Sequence, residues 1–168
     1  MPPPIIDYTG SFSLDLPPAE VWAAIERVDR FEAWWPWLSE LTLDGAGLRT
    51  GAVLHGVVSP PVPYRMRIDV ELLACTRPRA IDAMVGGDLR GPARLRLRRE
   101  GSGTQADVQW SIEMMQLPMR LASRFGHPLL RWGHDRVVAT TVKSFRRNVE
   151  RQAGPASPAG ADGRPPAG

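Results

Sequence analysis

The chain has 168 residues, a net formal charge of +3 and 43% hydrophobic residues. That suits one globular domain, long enough to bury roughly 70% of its unfolded surface. No stretch approaches the ~20 apolar residues of a membrane-spanning helix. The start, Met1–Asp7, has no basic and apolar regions of a secretory signal. Cys75 is the only cysteine, so an internal disulfide and a zinc pair are both excluded, and a reducing cytoplasm is the expected compartment. The positive charge is almost all arginine, Lys143 being the only lysine. A charge this small, spread over the chain, is weak for nucleic acid, which needs several phosphates neutralised on one face.

In chain order, residues 1–7 read as an N-terminal tail. Phe12, Leu14 and Leu16 alternate with Ser11, Ser13 and Asp15, the period of a half-buried strand. Pro17-Pro18 suits a helix start, and Val21, Trp22, Ile25 and Val28 share one helical face. Asp29–Leu38 reads as a second short helix, broken by Pro36. Strands follow at Leu41–Leu43, at Val53–Val58 with ambiguous register, at Tyr64–Leu72, at Ala80–Val85, at Ala93–Leu97 and at Ala106–Met114. Short turns join them, so an antiparallel meander with one apolar and one charged face is expected. Leu129–Arg151 supplies a long helix whose His134, Val138, Thr141, Val142, Phe145 and Val149 fall on one side. Gly126 and Pro128 separate it from a short helical turn at Pro118–Phe125. Residues 153–168 contain no large apolar side chain and are expected to be a disordered tail. The fold class is therefore α+β: a curved antiparallel sheet of about seven strands, two short helices after the first strand, and a long C-terminal helix covering the apolar face. A bent sheet around one helix leaves room for a cavity. Residues 8–152 form the domain.

Four segments give this order a family likeness: Leu16-Pro-Pro-Ala-Glu-Val-Trp22, Arg30-Phe-Glu-Ala-Trp-Trp-Pro-Trp-Leu38, Gly87-Asp-Leu-Arg-Gly91 and Leu130-Arg-Trp-Gly-His-Asp135. With them, Tyr8–Arg151 resembles the SRPBCC superfamily, the helix-grip fold of START lipid-transfer domains, birch-pollen-allergen-like proteins and polyketide cyclase/dehydrase-like proteins. The resemblance implies a cavity for a small hydrophobic ligand: a lipid, an isoprenoid or a polyketide-like compound. It leaves two roles open, because this fold hosts both. One is a carrier or sensor; the other is a cofactor-independent cyclase or dehydratase.

The candidate ligand contacts are Trp34, Trp35, Trp37, His55, Tyr64, Met66, Trp110, Met114, His134, Val138 and Thr141. The tryptophans either plug one end of the core or line a cavity mouth. Met66, Met114 and Tyr64 suit an adaptable pocket with one orienting hydroxyl. His134, on the apolar side of the helix, needs a partner. It either fixes the helix through a backbone carbonyl or Asp135, or reaches the cavity as ligand contact or catalytic base. Asp135 reads as a helix-start carboxylate. His55 and Asp88 are weaker catalytic candidates. The three histidines, with His127, have no metal-ligand spacing, so no metal and no cofactor is expected. Ser11 and Ser13 sit in no nucleophile elbow. Arg94, Arg96 and Arg98 form a stripe on an exposed strand face. It is either a solvated face or a surface for transient contact with an anionic membrane.

Overall fold

The computed structural model describes residues 5–61, 65–115 and 117–153; in the last stretch, side chains are described at 132 and 134–151. Seven strands form one antiparallel sheet: β1 (Ile5–Leu14), β2 (Leu38–Asp44), β3 (Val53–Val58), β4 (Met66–Thr76), β5 (Ala80–Gly87), β6 (Leu89–Glu100) and β7 (Gly103–Met114). Their spatial order is β1-β7-β6-β5-β4-β3-β2. The meander runs from β2 to β7, and β1 closes the far edge by pairing along its whole length with β7. Residues 1–4 and 154–168 of the two expected tails lie outside the described residues. Ile5–Asp7 belong to β1 rather than to the tail of residues 1–7.

The short helices follow β1. In α1 (Pro18–Ile25), Pro18 occupies the first turn, where its missing N–H costs nothing. Val21 and Trp22 are fully buried there, and the Trp22 indole donates to Glu26 Oε1 at 2.9 Å. A 3-10 turn over Val28–Arg30 leads into α2 (Phe31–Trp34). Trp35, the residue before Pro36, is extended at φ −126° and ψ 95°, which ends the helix there.

The edge strand β2 is irregular. Its register against β3 shifts between Ser39 and Thr42, and Glu40 takes a left-handed φ of 54°. The freed Leu41 N–H donates to Glu32 Oε1 of α2. A kinked edge of this kind is a poor template for strand addition.

Helix α3 runs unbroken from Leu117 to Ala153, 37 residues or about 55 Å. Gly126 and Pro128 lie inside it, so the expected division into two helices does not occur. A proline removes one hydrogen bond of the ladder, and the turns on either side continue without it. Asp135 therefore sits mid-helix, not at a helix start, and caps nothing.

Alternation sorts the strands as expected. The pairs Ile6↔Ile112, Tyr8↔Trp110, Gly10↔Val108, Ala93↔Trp110 and Ala83↔Ala93 put these residues on the inner face. Buried clusters close it at three places, one of them Ala52, Leu72 and Ala83 at the β3–β5 end. Leu14, Val21, Trp22, Leu97 and Ala106 join β1, α1, β6 and β7. Met66 and Met114 meet with Ile6, Val58 and Leu89, side chains from five strands, which shows how strongly the sheet curves. On the outer face the arginine stripe is matched by carboxylates. Arg96 Nη2 binds both oxygens of Asp82 at 2.7 and 2.9 Å, Arg94 lies 3.4 Å from the same carboxylate, and Arg98 binds Asp107 at 2.7 Å. The stripe is a set of cross-strand ion pairs, not a free cationic surface.

Candidate functional site

Helix α3 meets the rest of the molecule through two groups of aromatic side chains. The first comes from α2 and the segment after it. Trp34 is 6% exposed and packs edge-on against Phe145, in a buried cluster with Ala24 and Val149. Trp35 and Trp37 stack on each other at 5.7 Å. Both indoles donate to one helix residue: Trp35 Nε1 to the Thr141 carbonyl at 3.2 Å, and Trp37 Nε1 to Thr141 Oγ1 at 3.0 Å. Thr141 Oγ1 in turn donates to the Val137 carbonyl at 2.6 Å. The three tryptophans and Thr141 thus hold the helix, and the hydroxyl has no proton left to offer a ligand.

The second group comes from the β1–β7 end. Tyr8 and Trp110, directly paired across the strands, stack at 4.4 Å. The Trp110 indole donates to His134 Nε2 at 3.1 Å. That bond fixes the neutral imidazole tautomer with its proton on Nδ1, which lies 3.4 Å from Asp135 Oδ1. His134 therefore bonds a side chain of the sheet as well as its helix neighbour. Its side chain remains 19% exposed, and Tyr8 and Trp110 are half-buried. Burial, and next the Asp135 carboxylate, push the Tyr8 hydroxyl above its ordinary value, so it stays protonated and able to donate. The Tyr8 ring lies over Gly10, where a Cβ would collide with its hydroxyl. Glycine is what lets the ring lie flat enough to stack.

Between these groups the inner face is apolar but not sealed. Ile68, Val70, Leu95 and Val108 point inward and are only half-buried, as are Val138 and Thr141 on the helix. Small, half-buried residues, Gly10 and Ala93, lie on the same face beside Val108 and Trp110.

The remaining candidates fall elsewhere. Met66 and Met114 share the inner face with Trp110, as expected, but are 7% and 6% exposed and pack against each other, so they fill core. Tyr64 lies outside the described residues, and so does the side chain of His127. His55 is on the outer face, paired with Asp69 across β3–β4. Its Nδ1 bonds Asp69 and its Nε2 reaches Asp44 Oδ2 at 3.1 Å, and these carboxylates, Asp69 first, raise its pKa above the ordinary value. It cannot touch a ligand inside the fold. Asp88 is a turn residue: its carboxylate accepts from the Arg67 N–H at 2.7 Å and its carbonyl from the Met115 N–H at 2.9 Å. Tyr8 and Gly10 are the site residues the sequence reading missed. The signal was present, since Ile6 and Tyr8 continue the even-numbered alternation of Phe12 and Leu14.

A seven-stranded curved sheet around a C-terminal helix, tied to it from both sides, is a helix-grip α+β fold of the SRPBCC class. The chain belongs to the family described as polyketide cyclase/dehydrase and lipid transport, whose profile matches residues 6–151. No curated protein sequence matches it. Among solved structures it is similar to TTHA0849 from Thermus thermophilus, at 12% identity and a TM-score of 0.72, covering 89% of this chain and 100% of that one. It is similar to the Zhui aromatase/cyclase from Streptomyces sp. R1128, at 13% identity and 0.67, covering 91% and 98%. It is also similar to a START superfamily protein from Mycobacterium smegmatis, at 12% identity and 0.66, covering 87% and 98%. No helix among the described residues is long and apolar enough to cross a membrane.

Proposed function

We propose that the space between the inner face and α3 binds a small hydrophobic ligand, and that the protein acts as its carrier or sensor. The observation that supports this most is the half-buried state of Ile68, Val70, Leu95 and Val108. Apolar side chains at the centre of a one-sided sheet are normally covered completely, and leaving them partly open loses ~25 cal/mol for each Å² not buried. A ligand that covers them recovers that energy. Tyr8 and His134 are the polar groups beside this surface. Together they suit a ligand with one oxygen-bearing end and an apolar body, such as a lipid, an isoprenoid or a polyketide-like compound. The domain is taken as residues 8–152 extended to the start of β1, without the terminal tails.

The other role open to this family, a cyclase or dehydratase with His134 as base, has less support. The Nε2 lone pair already accepts the Trp110 N–H, so proton abstraction there first requires breaking that bond.

The test is titration with a naphthalene-sulfonate probe and an alkyl-chain lipid, read by fluorescence and by native mass spectrometry. The wild-type protein should take up one molecule. Ala93→Leu, which adds bulk on the inner face, should abolish uptake and retain the fold. A wild-type protein that binds neither compound rejects the reading.

A further inference from the structure

The solvent side of α3 is a separate surface. Its exposed positions include Trp132, Asp135, Arg136, Lys143, Arg146, Arg147, Glu150 and Arg151. That is five cations against two carboxylates, an excess of three, equal to the net formal charge of the whole chain. On the other basic surface strip, on β6, each of Arg94, Arg96 and Arg98 is ion-paired with Asp82 or Asp107. None of the ion pairs among the described residues involves the α3 cations of this face. Lys143, Arg146, Arg147, Glu150 and Arg151 surround an open hollow of about 480 Å³. Arg146 is held in place by donating to the Ser13 carbonyl at 2.9 Å.

A second feature shares that side. Trp132 is 53% exposed, and the Arg136 guanidinium lies 5.5 Å from its ring centroid. At 100° per residue, Trp132, Arg136, Lys143, Arg146 and Arg147 fall within an arc of about 100° and span about 22 Å. An uncovered indole is unfavourable in water and favourable at the boundary between headgroups and acyl chains. Arginines supply bidentate contacts to phosphate oxygens.

We propose that this face of α3 docks the protein reversibly on an anionic phospholipid surface, with Trp132 at the acyl boundary and Lys143, Arg146, Arg147 and Arg151 on the headgroup phosphates. Nucleic acid offers the same phosphates but no apolar boundary for the indole. An electrostatic patch with one aromatic anchor gives weak, salt-sensitive attachment, which permits release.

The experiment is co-sedimentation of the full chain with phosphatidylcholine vesicles, with and without phosphatidylglycerol. Binding should need phosphatidylglycerol and decline as salt is added. Each cation removed should weaken partition about fivefold, so the double variant Lys143→Gln/Arg147→Gln should lose about 25-fold. Trp132→Phe should remove a blue shift in emission that appears with anionic vesicles. All three side chains are exposed, so circular dichroism and thermal midpoint should be unchanged; Arg136→Gln is the substitute if one variant fails to fold. Equal binding to both vesicle types, or an unaffected double variant, overturns the proposal. Retention on duplex DNA or on an acidic protein without vesicle binding also overturns it, and assigns the face to that partner instead.

Discussion

Two sets of indole N–H groups hold α3, and they differ in what surrounds them. At α2, Trp35 and Trp37 converge on Thr141 among packed aromatics, beside a Trp34 that is almost fully buried. At the β1–β7 end, Trp110 holds His134, and the imidazole and the Tyr8 phenol remain partly open. In the first grip the polar groups are saturated, and one of its three tryptophans is buried. The second has polar capacity to spare. The same residue type thus serves rigidity at one end and, under the proposed function, recognition at the other.

The largest effect should come from the α2 end. Trp34→Ala should lose ~3–5 kcal/mol in denaturant unfolding, with probe affinity of the folded protein close to wild type. Lost affinity at retained stability would reverse the comparison. Next comes His134→Ala, which leaves the Trp110 indole without its acceptor. We expect ~1–3 kcal/mol of destabilisation, and, unlike at Trp34, weaker ligand binding. A stability loss without any change in binding would make both ends structural. Thr141→Val removes one indole acceptor and should cost about 1 kcal/mol, leaving ligand affinity intact. Gly10→Ala pushes aside the end of the Tyr8 ring, a movable group, so stability should change by less than about 1 kcal/mol. The Tyr8–Trp110 stacking contribution to near-ultraviolet circular dichroism should drop, and ligand affinity with it.

The smallest effect lies outside both ends, on the outer face. Asp69 and Asp44 raise the pKa of His55 in the folded chain above its ordinary 6.5. A raised folded value means that this contribution is complete below about pH 6.5 and is lost as pH rises through the folded pKa. Wild-type thermal midpoints should therefore decline over that interval, and His55→Asn should flatten the decline. An identical pH profile in the variant would show that the pairing contributes nothing, as exposed pairs often do.

Much of this was legible in the sequence because strands and helices advertise their faces. The inward set Met66, Trp110 and Met114 follows from period-two alternation, and the His134–Val149 side of α3 from its helical spacing; Val53–Val58 was legible as a strand, but its register was not. Three things were not legible, each for its own reason. Gly10 has no side chain to signal its role, and the room it makes for Tyr8 is a contact two residues away that only the pleat reveals. His55 pairs with Asp44 and Asp69 from neighbouring strands, and cross-strand register decides that. Pro128 reads as a helix stop, but a proline sets a local cost and the flanking turns decide whether the helix continues.

The position of β1 carries a kinetic consequence. Of the seven described strands it is the first to be made, and its sheet partner β7 is the last; Ser11 reaches Asp107 across 96 residues of sequence, and Ser13 meets Arg146 across 133. The sheet's closing edge, Tyr8 included, cannot form until β7 has been made. Such long-range closure places folding towards the slow, millisecond-to-second end of single-domain behaviour.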